Sequence, residues 1–283
     1  MKTIENKRAK EFIKSLIKRA QEDEIVSLSA QLAYFLLLSI FPSIIFGITL
    51  LGQFPISSND ILNLLHNVSY IVPQDTYILI KSMVLSVFQM SQKGNALSLS
   101  IIMSLWSASN GMKAIIRALN KAYNVKEDRD FLHNRFVSIF LVFSVVMAII
   151  IALLLSVFGN FIGNFIYFYF DLEVHFLRFW DITRYGTSVL LLFILFMLLY
   201  CLAPNKKLRC REVYKGTIFA VIGWIIVSYL FSYYVDHFAN YSATYGSIGG
   251  VIVLMIWLYL SSMILILGGE INATLQWFKK NNI

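Results

Sequence analysis

Few residues in this sequence have types and positions suited to chemistry, and Glu270 is the first of them. It lies in LGGEINA (267–273), directly after the uncharged run 248–267, and the next basic residue is Lys279. A carboxylate within an apolar helix is costly and is by default a candidate functional group. Together with Asn272, Glu270 either binds a cation or relays a proton in a polar cavity, or it pairs with a basic residue from a neighbouring helix and fixes the packing.

We favour the packing role for Glu270. It requires an Arg or Lys within about 6 Å of the carboxylate, because a direct charge partner acts at that range. Arg117 is the expected partner, since both residues belong near the same membrane face. Gly268 and Gly269 are expected to let another helix approach Glu270 closely.

The first apolar run contains a second set of candidates around Pro42. Proline removes a backbone donor, so it predicts a kink near Leu38. Gln31 and Tyr34 lie about two helical turns before Pro42. The kink is either the hinge of a gate or an ordinary packing feature of a membrane helix.

Two further polar stretches complete the candidate cavity. The first, small and polar, contains Ser107, Ser109 and Asn110 and precedes a basic amphipathic helix. The second, YSATYGSIGG, is either an unwound entrance that lines a cavity or the interfacial start of the last span. Its candidates are Tyr241, Ser242, Tyr245, Gly246 and Gly250, and the last two form a GxxxG that permits close helix contact.

Metal and redox chemistry find little support in the sequence. The two cysteines, Cys201 and Cys210, have no metal-ligand spacing, and the four histidines are scattered. Both cysteines are expected near the cytoplasmic face and therefore reduced. No cofactor and no metal is expected, and an enzyme is the weakest of the function classes considered.

The composition is that of a membrane protein. The 283 residues are 58% hydrophobic and only 14% charged, where a soluble domain carries about 25% charged residues. The mean hydropathy is +0.69. We expect an all-α polytopic bundle whose partners are membrane lipids. The net charge of +8 lies on the flanks of the spans rather than on a nucleic-acid surface, so no nucleic-acid partner is expected.

Six apolar runs are long enough, at about 17–25 residues, to cross a bilayer. They are 27–52, 95–112, 136–160, 184–203, 216–235 and 248–272. Twenty of the 24 basic residues fall in alternate flanks, namely the N-terminal segment, 113–135, 204–215 and the tail. The positive-inside rule then gives six spans with both termini in the cytoplasm.

The remaining segments flank the membrane domain, 27–276. Residues 1–26 form an amphipathic cytoplasmic segment, and 277–283 form a cytoplasmic tail. The outer segment 53–94 reads as two short helices separated at Pro73. The apolar run 136–170 is longer than a bilayer is thick, so its helix must tilt or project, and Gly159 and Gly163 are expected to mark a close contact within it.

Three stretches resemble the YihY/BrkB family of bacterial inner-membrane proteins. They are AYFLLLSIFP, LWSASNGMKAIIRALNKAYNV and YSATYGSIGGVIVLMIWLYLSSMILILGGEINA. The resemblance implies a six-span helical membrane protein. Members have been linked to serum resistance and to envelope lipid export, and some carry a label as a tRNA-processing ribonuclease. That label is not expected to apply, because no His/Asp cluster that could hold metals for phosphodiester hydrolysis is present.

Three functions remain open from the sequence. The first is a transporter or exporter of a lipid or small envelope-related substrate, which moves through a cavity between spans. The second is a non-catalytic envelope scaffold, or virulence-associated membrane protein, that acts through 53–94. The third is a membrane enzyme. The oligomeric state, a homo-oligomer included, is left open.

Overall fold

The computed structural model describes residues 2–51, 81, 85, 96–169, 175–238 and 248–281. Within these ranges the chain is helical and contains no strand, as the all-α prediction requires. Seven helices follow one another along the described residues. They are α1 Lys2–Glu22, α2 Ile25–Leu51, α3 Ala96–Ala122, α4 Phe131–Tyr169, α5 His175–Leu202, α6 Cys210–Phe238 and α7 Ile248–Lys280.

Four of these helices contain stretches long and apolar enough to cross a membrane. Among the described residues these stretches are Phe131–Ala148, Phe179–Leu202, Cys210–Val235 and Gly249–Lys280. A shorter apolar helical stretch covers Ile25–Ser39. The structure thus supports a multi-pass membrane protein, and the count of six spans stays a prediction.

The helices from α3 to α7 are all longer than the spans predicted from them, and two of these extensions bear on the site. α3 continues from the predicted second span into the basic amphipathic segment without a break. Its small residues do not end the helix, and a Cβ added at Gly111 would lie 3.6 Å from the Phe35 carbonyl oxygen and from Ser39 Oγ of α2. α7 likewise continues past residue 272 to Lys280, so Glu270 lies within a helix rather than at the end of one.

The chain divides into two compact units. The first contains Met1–Ile25, Ile115–Ile226 and Met263–Ile283. The second contains Val26–Ala114 and Val227–Ser262.

The core of the first unit is a close contact between α6 and α7. A fully buried stripe on α6 contains Val213, Thr217 and Ala220, spaced at the helical period that forms one face. Gly216 lies in the same stripe, and an added Cβ there would overlap the carbonyl of Gly268. Because both positions are glycine, the two backbones can approach each other directly.

α4 and α5 form the second layer of this unit. α4 has 39 residues and is therefore about 58 Å long, well beyond the ~30 Å hydrocarbon layer. A Cβ at Gly163 would lie 2.5 Å from Cδ1 of Trp180 on α5, so the close contact predicted at this glycine is confirmed. On the face turned away from the core of the unit, α6 exposes large apolar side chains such as Ile218, Ile222 and Ile225. These side chains are suited to contact with lipid.

In the second unit, α2 runs as one helix through Pro42, and the kink predicted near Leu38 stays a prediction. The Trp257 indole on α7 donates a hydrogen bond to Ser228 Oγ on α6 at 3.2 Å. Apart from residues 81 and 85, the predicted outer segment 53–94 lies outside the described residues.

Candidate functional site

The predicted amphipathic N-terminal segment is α1, and its inward face carries Arg19. Phe12 contacts Phe278 of α7 edge to face, with ring centroids 5.8 Å apart. Leu16 and Arg19 follow Phe12 at helical spacing and are partly buried, so all three lie on one face. Ile13 and Ile17 are more than half exposed and form an apolar strip on a second face.

Arg19 forms an ion pair with Glu270. Arg19 Nε lies 3.3 Å from Glu270 Oε2, and the carboxylate is fully buried while the Arg19 side chain is 21% exposed. The same guanidinium donates to the carbonyl of Ala122, at the end of α3, at 2.6 Å. A cation at a helix C-terminus satisfies an unpaired carbonyl and opposes the helix dipole. Arg19 therefore ties α1 to both α3 and α7.

The predicted charge partner of Glu270 is confirmed, but Arg117 was the wrong residue to assign to it. The structure gives that place to Arg19, while the Arg117 side chain is exposed. Both arginines belong to basic flanks on helices of the first unit. α1 supplies the partner because its face containing Phe12 packs against α7, which the charge pattern alone does not reveal.

The second carboxylate oxygen of Glu270 is buried, and no described residue donates a hydrogen bond to Oε1. Among the described residues, Glu270 therefore has a cation on Oε2 and a buried second oxygen with no donor.

Asn272 is held two residues further along α7. Its Oδ1 accepts a hydrogen bond from the backbone amide of Gly216 at 2.7 Å, and it is fully buried. The buried Tyr200 hydroxyl donates to the carbonyl of Leu265 at 2.7 Å and would overlap a Cβ at Gly268. Gly269 is equally enclosed, since its Cβ would lie 2.5 Å from Leu119 Cδ2. The close approach predicted at both glycines is confirmed.

All four basic segments of the sequence contribute to one end of the first unit. Arg19 reaches the end of α3, Arg129 reaches the 203–204 backbone, and Lys206 reaches Gln276 near the end of α7. We call this end of the unit the basic end. The charge pattern correctly predicts that these segments lie together.

The basic end contains an open cavity of about 970 Å³. Seven Lys or Arg side chains line it, against one carboxylate, that of Glu212. The basic residues are Arg19 from α1, Lys206 and Lys207 from the loop before α6, Arg211 and Lys215 from α6, and Lys279 and Lys280 from α7. Because positive charge surrounds the cavity, its interior attracts anions.

A polar chain crosses the wall of this cavity. Lys206 Nζ donates to Gln276 Oε1 at 2.9 Å, and Gln276 Nε2 donates to Glu212 Oε2 at 3.4 Å. Glu212 also accepts from the backbone amide of Arg209 at 3.0 Å and so caps the first turn of α6. Lys206 lies over the Tyr123 ring at 5.2 Å. Burial lowers the pKa of Lys206 and raises that of Tyr123 above its usual range.

Arg129 braces the loop that carries Lys206. Its guanidinium donates to the carbonyl of Ala203 at 3.1 Å and to those of Leu202 and Pro204. Asn120 joins the same network, because its Oδ1 accepts from the backbone amide of Asn205 at 2.6 Å. These bonds satisfy carbonyl groups at the end of α5 and hold the loop that carries Lys206 and Lys207.

Those sequence candidates of the second unit that the structure describes form no comparable site among themselves. Gln31 and Tyr34 are exposed on α2. Ser109 is buried, but its hydroxyl donates to the Trp106 carbonyl of its own helix at 3.1 Å, and Asn110 is exposed.

The remaining candidates are settled only in part. Gly250 is exposed, and a Cβ there would meet nothing within 4 Å among the described residues; Gly246 is not among them, so the close contact at this GxxxG stays a prediction. Gly250 lies in the first turn of α7, where the described structure leaves open space. The side chains of Pro42 and Ser107 are outside the described residues, as are Tyr241, Ser242, Tyr245 and Gly246 as a whole.

The two cysteines are both free, and their Sγ atoms lie 3.5 Å apart. Cys201 is in the last turn of α5, and Cys210 begins α6. Across the described ranges, no group of three or more His, Cys, Asp or Glu side chains could hold a metal ion.

Sequence reasoning missed Arg19, Gly216 and the cavity. A signal for Arg19 was present, since it follows Phe12 by seven residues and Leu16 by three and so shares their face. Gly216 is a glycine inside an apolar helix, which often marks a close approach. The cavity arises from the meeting of four distant segments, and no single stretch encodes it.

Comparison with known proteins gives one family. The model of the family described as Virulence factor BrkB matches residues 16–282. A Bacillus subtilis protein whose provisional name is ribonuclease-like protein YfkH is 51% identical over 269 residues, covering 95% of this chain and 96% of that protein. UPF0761 membrane proteins of Alteromonas mediterranea and Vibrio parahaemolyticus are each 28% identical, over 92% and 93% of this chain and 85% and 82% of theirs.

No solved structure matches the chain. The family model covers nearly the whole sequence, and the relatives match over most of their own lengths. The chain therefore belongs to the BrkB family of membrane proteins, the family that its three sequence motifs resemble.

Proposed function

We propose that this protein transports or exports a lipid or a small envelope-related substrate across the bacterial cytoplasmic membrane. The observation that carries the proposal is the cavity of about 970 Å³ at the basic end. A cavity of this size accommodates a small molecule or a lipid headgroup. It is lined by the start of α6 and the end of α7, two helices with stretches long and apolar enough to span a membrane.

In this proposal the basic end faces the cytoplasm, with both termini on that side. The positive-inside rule supports this orientation, because the four segments rich in Lys and Arg meet there. A substrate would enter the cavity from the cytoplasm or from the inner leaflet.

The buried Arg19–Glu270 pair gives this cavity a device that can respond to a substrate. Arg19 lines the cavity and at the same time holds Glu270 and the end of α3. A substrate that binds the Arg19 guanidinium weakens the interactions of Arg19 with the Glu270 carboxylate and with the Ala122 carbonyl. The attachment of α1 would then depend on whether the cavity is occupied.

A lipid translocation assay tests the proposal. The purified protein is reconstituted into liposomes that carry a fluorescent anionic phospholipid, and loss of label to a membrane-impermeant quencher reports movement between leaflets. We expect faster movement than in protein-free liposomes, and slower movement for Arg19→Gln than for the wild type. Lys18→Gln is the matched control, because the partner of Lys18 among the described residues is the exposed Glu22 on the same helix.

Equal rates with and without the protein, across neutral and anionic lipids and soluble envelope precursors, would remove the transport proposal. Equal rates for Arg19→Gln and Lys18→Gln would remove the role assigned to Arg19.

The alternative is a non-catalytic envelope scaffold, in keeping with the virulence-factor description of the family. The tight contact of Gly216 with Gly268 favours the scaffold, because it packs α6 directly against α7 and so makes the basic end rigid. A scaffold requires Glu270 only for packing. Glu270→Gln, which retains hydrogen bonding, should then preserve function completely, whereas a transporter that uses the carboxylate should lose rate.

A further inference from the structure

We propose that the cavity at the basic end binds the phosphate-bearing headgroup of an anionic lipid. This inference rests on the proposed function and deepens it, since it assigns the chemical class of the substrate. It is drawn from the charge, size and position of the cavity.

The charge of the cavity selects anions. Its lining holds seven basic side chains and a single acidic one. That acid, Glu212, already accepts hydrogen bonds from the backbone of Arg209 and from Gln276, so it is poorly placed to receive a ligand cation. The lining therefore presents donors to a ligand that brings acceptor oxygens and more than one negative charge.

Phosphate is the group that matches these donors. A carboxylate carries one charge and two oxygens, whereas a phosphomonoester near pH 7 carries between one and two charges on three acceptor oxygens. Arginine binds phosphate through its fork of donors, and lysine binds it as a point charge. Arg19 and Arg211 supply the first kind of donor, and the cavity lysines supply the second.

The size and position of the cavity favour a lipid over free phosphate. A volume of about 970 Å³ far exceeds what one phosphate group needs, since pockets for drug-sized ligands occupy about 300–1,000 Å³. Trp277 lines the cavity and is 45% exposed, and tryptophan settles at the membrane interface. Basic pockets between helices at this level bind anionic headgroups.

Arg19 connects this site to the buried carboxylate. A headgroup phosphate in the cavity competes with Glu270 Oε2 for the Arg19 guanidinium, which lies 3.3 Å from that oxygen. Removal of the Glu270 charge should therefore make Arg19 more available to the lipid.

Binding to the full-length protein in detergent tests the inference. Short-chain phosphatidic acid, phosphatidylglycerol and phosphatidylcholine are titrated separately, and inorganic phosphate is titrated in a fourth arm. Native mass spectrometry or tryptophan fluorescence gives each dissociation constant. We expect phosphatidic acid and phosphatidylglycerol to bind at least about tenfold more tightly than phosphatidylcholine, because each nearby Lys or Arg contributes about a factor of five.

Two charge-matched variants separate the cavity from general surface charge. Lys207→Gln/Lys215→Gln removes two lysines of the cavity lining, and we expect phosphatidic acid binding to weaken by about tenfold or more. Lys10→Gln/Lys126→Gln removes the same charge from exposed positions outside the lining, and its effect should stay below about threefold. Glu270→Gln should tighten binding.

Three outcomes overturn the inference. Phosphatidic acid binds no more tightly than phosphatidylcholine, or both lysine pairs weaken binding equally, or inorganic phosphate binds as tightly as the lipid. The translocation assay is independent of these results. Binding without translocation defeats the transport proposal alone, and translocation of an uncharged lipid without anion preference defeats this inference alone.

Discussion

The strongest test of the packing of the basic end is a double-mutant cycle on Arg19 and Glu270. Removing one member of a buried ion pair costs about 3–5 kcal/mol, because the other charge stays buried without a partner. The Arg19 side chain is 21% exposed, whereas Glu270 is fully buried, so water can partly solvate Arg19 but not Glu270. Arg19→Gln should therefore cost at least about 3 kcal/mol, because it leaves the buried Glu270 carboxylate without its cation.

Glu270→Gln should be milder. The amide can still accept a hydrogen bond from Arg19, and Arg19 keeps its 2.6 Å bond to the Ala122 carbonyl. We expect a loss of about 1–2 kcal/mol, the scale of a weakened hydrogen bond. In the double variant no charge is left buried and the two amides can bond to each other. The loss should be about 2 kcal/mol, well below the sum of the single effects.

Thermal unfolding in detergent, followed by tryptophan fluorescence, measures these differences, and the chain has five tryptophans. For chains of this size about 1 kcal/mol corresponds to roughly 2–4 °C, so Arg19→Gln should lower the midpoint by at least about 6 °C. Lys18→Gln, whose pair with Glu22 is exposed, should shift it by less than about 2 °C. Single effects that add within about 0.5 kcal/mol would refute the buried pair.

Three further outcomes test separate parts of the structure. Gly268→Ala should destabilise the protein strongly, because the new Cβ overlaps the Tyr200 hydroxyl, whereas Gly250→Ala meets open space and should be neutral; equal midpoints would contradict the packing. Arg129→Gln loses carbonyl contacts to 202–204 and should increase protease cleavage in that loop, so unchanged cleavage would argue against the brace. Mild oxidation should consume both cysteine thiols together within one chain, since their sulfurs are 3.5 Å apart; independent loss would contradict their placement.

Helices were the part of the fold most open to prediction from sequence, because a long apolar run has few alternatives in a membrane. Their ends were less accessible. The predicted last span stops at 272, yet α7 continues to Lys280, since hydropathy records where the apolar layer ends and not where the helix ends. α3 likewise continues as one helix through its small polar residues, because a fall in hydropathy does not end a helix.

The site was predictable in its chemistry and not in its partners. A buried glutamate requires a cation nearby, so the sequence correctly demanded an Arg or Lys beside Glu270. Which one it is depends on how α1 packs, and the contact between Phe12 and Phe278 joins residues far apart in the chain. The cavity was likewise beyond prediction, because its basic residues come from three separate segments.

The most direct test of the central claim is an experimental structure of the protein in nanodiscs that contain phosphatidic acid. The claim is that the basic end is a loading site for an anionic substrate, with Arg19 between that substrate and Glu270. We predict phosphate density in the cavity within hydrogen-bonding distance of Arg19 or Lys207. A cavity without lipid density, or a Glu270 carboxylate far from Arg19 with or without lipid, would contradict it.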